Sequence, residues 1–307
     1  KLPAIHVPGP LRGGEPAAEG ARRVLRRFFE RMLAREDAVR TDEDPEDVHQ
    51  MRVATRRLRA ALQVAEDLFA PQVIRVHRRG LRRVAASLGA LRDADVFLAA
   101  LLAHRDTLPQ QECGALEPLA AAVAAEREAA RARLRADLQE GRYTRFKRRF
   151  AAFLTTPGAG VATLPETGAP PRVRDVAPSA IWRRYEQLRA FEVVLPGAPE
   201  ATLHRARIAG KRLRYTLEFF ADALGPRVEE LLAPLAALQE ALGALQDAAV
   251  ARAYVRALGL AEDAGACDYL ATLDETCTRR LADLPHVWEK VVSATYRRRL
   301  SELIVKC

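Results

Sequence analysis

Aromatic residues make up only 6% of this 307-residue chain, and cysteine occurs four times. The cysteines (Cys113, Cys267, Cys277 and Cys307) lie far apart, which is not the spacing of a disulfide framework or a metal site. No run approaches the roughly 18 uncharged apolar residues that a membrane-spanning helix needs, and no leading apolar segment resembles a signal peptide. We therefore expect ordinary thiols, a reducing cytoplasmic location and no membrane partner.

Patterns that carry catalysis or metal binding are missing as well. The six histidines show no H-x-x-x-H or Cys-His grouping with the spacing of a metal site. Gly210-Lys211 resembles the end of a phosphate-binding loop, but Arg205 stands where that loop needs its first Gly and Arg212 where it needs Ser or Thr. No pair of nucleophile and base is apparent. We therefore expect a protein that is not an enzyme and that uses no metal or cofactor.

The residues that are abundant favour helices. Ala, Leu, Arg and Glu fill most positions, and apolar and polar residues nowhere alternate over the length of a strand. Asp44-Pro45-Glu46 has the pattern of a helix N-cap followed by Pro in the first turn. The sequence therefore predicts an all-α fold. Further helix boundaries are predicted at Pro71, Pro109, Gly141, Gly225-Pro226, Gly259 and Pro285.

Two segments of the chain occur twice, in the same order. VHQMRVATRRLRAALQVAEDLF at 48–69 aligns with LHRARIAGKRLRYTLEFFADAL at 203–224 through the pattern H-x-x-R-x-x-x-[RK]-R-x-R, and LGALRDADV at 88–96 matches LGALQDAAV at 242–250. Ordered matches of this kind indicate a tandem duplication. The predicted organisation is a flexible leader at 1–17, a first helical unit at 18–154, a Gly- and Pro-rich linker at 155–177 and a second helical unit at 178–307.

The segments 48–69 and 203–224 are predicted to be helices with one basic and one apolar face, because residues advance by 100° along a helix. The chain carries 49 Lys and Arg against 40 Asp and Glu, with most of the excess in its first half. A single basic face is more often solvated surface than a binding site, but repetition in the same register favours anion binding. The basic faces consist of His49, Arg52, Arg56 and Arg59, and of His204, Arg207, Lys211 and Arg214.

Other basic candidates occur in one copy only. Arg75, Arg78 and Arg82 share a face of the next predicted helix, and Arg145 and Arg149 share a face of a later one. Each group also has an ordinary interpretation as surface charge, so these residues are weaker candidates for the same anion.

Two pairs of repeated residues receive specific interpretations. His49 and His204 lie in the first turns of their helices, where the helix dipole and nearby arginines disfavour the charged imidazole. We hypothesise that anion binding promotes their protonation, and a histidine that merely caps or packs is the alternative. Asp93 and Asp247 of the L-G-x-L-x-D motif are interpreted as helix caps.

The paired H-x-x-R-x-x-x-[RK]-R-x-R stretches, each followed by L-G-x-L-[RQ]-D, resemble the CHAD domain family from about residue 18 to about residue 305. The resemblance implies two antiparallel helical bundles related by pseudo-twofold symmetry, with a basic cleft or channel between them. It also implies binding of inorganic polyphosphate by the eight residues of the two basic faces, in the cytoplasm and at polyphosphate granules. The chain departs from the pattern at Gln246, which stands where the first copy has Arg92, and the triphosphate-tunnel domain fused to many members is not part of this sequence.

Polyphosphate fits the composition because a linear polyanion without bases needs a line of cations and no aromatic stacking platform. Nucleic-acid binding is the main alternative, since a basic trough attracts any phosphate chain with salt-dependent affinity. Nucleic-acid binders, however, more often interleave aromatic residues with their cations. A helical scaffold for acidic protein partners is the third interpretation.

Overall fold

The computed structural model describes residues 9–41, 44–162, 168–195 and 197–307. These residues form eleven α-helices and three short 3₁₀ turns, and the only pairing between extended residues among them is two isolated bridges. The all-α prediction is confirmed. No helix of the described part combines the length and apolar character that crossing a bilayer requires. The helices are α1 (Ala17–Leu33), α2 (Glu36–Thr41), α3 (Pro45–Val64), α4 (Pro71–Arg105), α5 (Glu117–Gln139), α6 (Gly141–Thr155), α7 (Val173–Arg189), α8 (Glu200–Leu224), α9 (Glu229–Ala257), α10 (Ala264–Val292) and α11 (Ala294–Val305).

Several helices begin or end where the sequence predicts. Asp44 caps α3 by accepting a hydrogen bond from the backbone N–H of Glu46 at 2.8 Å, and Pro45 is the first helical residue. Pro71 begins α4. Gly225 ends α8 with a φ of +80°, in the left-handed region that Gly adopts at no steric cost.

Two predicted boundaries are wrong. Pro285 does not separate two helices but lies inside α10. Its missing N–H costs a helical hydrogen bond, and the helix continues because Leu284 and Trp288 on either side are buried in the core. Likewise α7 begins at Val173, so residues 173–177, predicted to end the linker, are helical.

The part of the predicted leader that the structure describes is packed against the helices. Leu11 is only 2% exposed, and its backbone N–H donates to the Oδ2 atom of Asp222 in α8 at 3.0 Å. The prediction of a flexible leader is therefore wrong for residues 9–16, because Leu11 is buried and the backbone N–H groups of Val173 and Arg174 donate to the carbonyls of Glu15 and Gly13. Residues 1–8 lie outside the described residues.

The helices of the second half repeat the packing order of the first half. In the first half α3 packs between α1 and α4, α4 also packs against α5 and α6, and α6 returns to α1. In the second half α8 packs between α7 and α9, α9 also packs against α10 and α11, and α11 returns to α7. This common order supports the predicted duplication, which is still a prediction.

Among the contacts between the halves in the described chain, two join helices that carry the repeated motifs. At one, α3 packs directly against α8, and the main hydrophobic core continues across this contact through residues such as Leu58 and Leu213. At the other, the far ends of α4, α5, α9 and α10 share a smaller apolar cluster, in which the ring of Phe97 lies 5.1 Å from that of Tyr254 and 5.7 Å from that of Tyr269. Contacts at both places fix the halves relative to each other.

Candidate functional site

The two basic faces belong to helices whose opposite faces are buried in the common core. Met51 and Leu58 of α3 and Leu213 and Leu217 of α8 are completely buried, as the helical spacing predicts. Because α3 and α8 pack against each other, their basic faces emerge side by side. Arg56 and Arg59 of α3 and Lys211 of α8 are thereby brought to one region of the surface.

An open cavity of about 370 Å³, which we call the inner cavity, lies where α3, α4 and α8 meet. Its walls combine basic side chains from both halves of the chain with a few apolar ones and one aromatic residue, Tyr215. Among the residues that the structure describes, no Asp or Glu lines it. The basic side chains of the inner cavity are Arg56, Arg59, Arg78, Arg82, Lys211 and Arg212.

The cations of this region are partly desolvated and repel one another. Desolvation lowers the pKa of Lys211 to about 8, with further contributions from Arg207, Arg56 and Arg52 that outweigh the attraction of Asp247. Desolvation, and then repulsion by Arg82, lowers the pKa of Arg59. In both residues the surroundings disfavour the positively charged form, and a bound anion would favour that form. The site therefore holds electrostatic free energy that an anionic ligand can recover.

A second open cavity of about 490 Å³, the outer cavity, adjoins the inner one. Arg78 and Arg82 line both cavities. The outer cavity also contains two acids from the turn after α3, of which Glu66 forms an ion pair with Arg78. Its charged side chains are Glu66, Asp67, Arg75, Arg78, Arg79 and Arg82.

The histidines lie at the beginnings of the basic faces. The pKa of His49 is lowered, first by desolvation and then by Arg92, with smaller effects of Arg56 and Arg52. This direction agrees with the predicted preference of His49 for the neutral form, although desolvation contributes more than the arginines do. In the second half, the Nδ1 atom of His204 lies 2.6 Å from the Oε1 atom of Gln246. His204 thus contacts the residue before the motif's aspartate, and the corresponding residue of the first half, Arg92, acts on His49 through its charge.

The match to a known protein family covers the same helices. The family model of the CHAD domain matches residues 23–256, a span that contains α3, α4, α8 and nearly all of α9, with both copies of both motifs. The chain belongs to the CHAD domain family.

Solved structures support this assignment to the CHAD family. The crystal structure of the CHAD domain from the plant Ricinus communis is 26% identical, with a TM-score of 0.68 over 99% of this chain and 97% of that chain. PptA from Streptomyces chartreusis, 19% identical, has a TM-score of 0.63 over 90% of this chain and 100% of that one, and it shows similarity of fold alone.

Two curated relatives come from Mycobacterium tuberculosis. The uncharacterized proteins MT2285 of strain CDC 1551 / Oshkosh and Rv2226 of strain H37Rv are each 29% identical over 266 residues. The match covers 81% of this chain and 47% of each relative. This CHAD chain therefore spans about half the length of the curated relatives that it matches.

The structure corrects the interpretation of the two CHAD-motif aspartates. Asp93 lies inside α4 and Asp247 inside α9, so neither caps a helix. Asp93 accepts a hydrogen bond from Arg52 at 3.0 Å. Desolvation raises the pKa of Asp247, opposed by Arg207 and Lys211 and assisted by Asp93. The two aspartates are thus carboxylates close to the cations of the site.

Some of the predicted ligand residues lie apart from both cavities or are engaged elsewhere. Arg214 donates from Nε to Glu218 at 2.9 Å and from Nη1 to Gln239 at 3.3 Å, and it lines neither cavity. Arg145 and Arg149 lie on α6, outside the lining of either cavity. Helical periodicity predicts which residues share a face of a helix, but it does not predict what that face contacts.

The sequence reasoning also missed two basic residues of this CHAD site. Arg212 lines the inner cavity and Arg79 the outer one. Each follows directly after a predicted residue, at 100° from it around the helix. The repeated [RK]-R pair could have indicated Arg212. It did not do so because helical phase places Arg212 beside the basic face, and only the structure shows that both Lys211 and Arg212 line the cavity.

Proposed function

We propose that this CHAD domain binds inorganic polyphosphate, without catalysing a reaction, in the inner cavity. The observation that carries the proposal is the convergence of six basic side chains from three helices and both halves of the chain, with no carboxylate among the described lining residues. A linear phosphate chain carries negative charge at every unit and can contact all three helices at once. Forked Arg side chains are well suited to such phosphate contacts.

The chemistry of the lining favours a phosphate chain over a nucleic acid. Tyr215 is the one aromatic residue among the described residues of the inner cavity. Aromatic rings such as those of Phe150 and Trp288 are buried in the core instead. Binders of single strands gain about 1–3 kcal/mol for each base stacked on an aromatic ring, and the inner cavity offers no series of rings for such stacking among its described residues.

The same lining supports binding without turnover. Within the described residues, no group of three or more His, Cys, Asp or Glu is arranged to hold a metal ion. We extend the proposal to location: a domain that holds polyphosphate reversibly would associate with polyphosphate granules in the cytoplasm.

A competition titration at physiological salt tests the proposal. Labelled long-chain polyphosphate is bound to the full chain and displaced by unlabelled polyphosphate, duplex DNA or single-stranded RNA. We expect polyphosphate to displace the label at a concentration of phosphate units at least about tenfold lower than either nucleic acid, because it has the higher charge per unit length. Equal or better displacement by DNA or RNA would assign the cavity to nucleic acid, and displacement by none of the three would reject polyanion binding at this site.

A further inference from the structure

The outer cavity is continuous with the inner cavity through Arg78 and Arg82, which line both. Beyond them it adds Arg75 and Arg79. These arginines lie on successive turns of α4, where side chains three or four residues apart are about 5–6 Å from each other. The rise from Arg75 to Arg82 is about 10 Å. A phosphate chain that leaves the inner cavity along α4 therefore meets a second group of cations.

Acidic residues distinguish the outer cavity from the inner one. Glu66 is paired with Arg78, and Asp67 lies 3.7 Å from Arg183 of α7. No carboxylate of the described chain lies within ion-pair distance of Arg75 or Arg79. An anion that enters the outer cavity thus finds Arg75 and Arg79 available beyond the shared Arg82 but must compete with Glu66 for Arg78.

This difference favours the inner cavity for any short anion. A free triphosphate would gain less in the outer cavity, because Glu66 and Asp67 line its wall and repel an anion, whereas no described carboxylate lines the inner cavity. A long chain already held in the inner cavity reaches the outer one as a tethered ligand. Its effective concentration there is far above its concentration in solution.

Resting on the proposed function, we infer that the outer cavity is a second phosphate subsite, filled by long polyphosphate and not by short oligophosphates. The long chain displaces Glu66 from Arg78 and contacts Arg75 and Arg79. The domain thereby selects its ligand by length, and the outer cavity supplies the selection.

The test measures binding of a series of polyphosphates, from triphosphate to long chains, to the wild-type chain and to the variant Arg75→Gln with Arg79→Gln. Affinity of the longest chain should fall by about tenfold, because two charge-assisted contacts are lost, while affinity for triphosphate should change by less than about twofold. The wild-type affinity should also continue to rise beyond the length at which the variant reaches its plateau.

A second variant, Glu66→Gln, removes the competing charge and keeps the side chain's size. We expect it to raise affinity for long chains by about threefold and affinity for triphosphate by less, since one ion pair of this kind is worth at most about 1 kcal/mol and Glu66 itself lines only the outer cavity. Circular dichroism of each variant checks that the helices are intact. No gain for long chains would contradict the role of Glu66 as a competitor.

The matched control is Arg148→Gln with Arg256→Gln, which removes two exposed charges from α6 and α9. Equal losses in this control and in the outer-cavity variant, or a loss that is the same for triphosphate and long chains, would overturn the subsite. If the wild type binds all lengths and the outer-cavity variant follows the same curve, the subsite fails and the proposed function stands. If the wild type binds no polyphosphate of any length, both fail.

Discussion

Helices α3 and α8 carry the same motif in the same register, yet their corresponding cations have different surroundings. Arg59 of α3 is exposed beside Arg82 and lines the inner cavity. Its counterpart Arg214 is held by Glu218 and by Gln239 of α9, outside that cavity. The same position in the motif thus gives an available cation in one half and a structural one in the other.

A second pair of counterparts differs in residue type. Arg56 of α3 corresponds to Lys211 of α8, and both line the inner cavity. Arg stays charged throughout the physiological pH range, whereas a desolvated Lys can lose its proton. The comparison indicates that the motif fixes the direction in which a side chain leaves its helix. The neighbouring helices then determine whether its charge is available and whether it titrates.

Charge reversal at a position that both halves share should have the largest effect on binding. Arg52→Glu combined with Arg207→Glu should lower polyphosphate affinity by at least about hundredfold, because two cations near the inner cavity become anions beside Asp93 and Asp247. Fluorescence-detected titration measures the affinity, and circular dichroism verifies that the helical content is retained.

The control for this double reversal is Arg148→Glu with Arg256→Glu, which makes the same change in net charge at exposed positions of α6 and α9. A similar loss in the control would mean that net charge, rather than this site, governs binding. Full affinity in the Arg52 and Arg207 variant would contradict the assignment of the site. The milder pair Arg52→Gln and Arg207→Gln replaces it if the reversal prevents folding.

The next comparison separates the available cation from the structural one. Arg59→Gln should lower polyphosphate affinity by about fivefold through loss of one charge-assisted contact. Arg214→Gln should change affinity by less than about twofold but lower the free energy of unfolding by about 0.5 kcal/mol, the usual worth of a partly exposed ion pair. Binding titrations and urea unfolding measure the two quantities. Equal losses of affinity in both variants would mean that Arg214 contacts the ligand after all.

The sequence predicted the features that depend on local chemistry. The cap of α3 by Asp44, the buried side of each basic helix and the all-α fold follow from residue type and helical period. The pairing of Arg214 with Glu218 was also readable in principle, because the two residues are four apart on one helix. The contact of Arg214 with Gln239 was not, since it depends on where α9 packs.

The errors concern how far helices extend and how they face one another. Asp93 and Asp247 were interpreted as caps because a short polar side chain usually marks a helix end, whereas α4 and α9 have 35 and 29 residues and pass through both positions. Helices of this length are well above the average of globular proteins. The cavities formed by α3, α4 and α8 depend on three helices at once, so no single-helix pattern predicts their lining.

The smallest predicted effect concerns pH and the pair Arg56 and Lys211. In the free protein the pKa of Lys211 is lowered to about 8 by desolvation and by Arg207, Arg56 and Arg52. A bound polyanion favours the charged form and raises this pKa, so binding takes up a proton at pH values above about 8. Affinity should therefore be constant well below pH 8 and fall by about threefold as the pH rises through about 8 and the raised pKa of the complex, as about half a unit of linked pKa shift requires. Lys211→Arg should bind equally well at pH 7.5 and lose this decline, because its guanidinium stays protonated.

Isothermal titrations in buffers of different ionisation enthalpy measure the proton uptake directly. The same decline in the Lys211→Arg variant would show that Lys211 is not the titrating group.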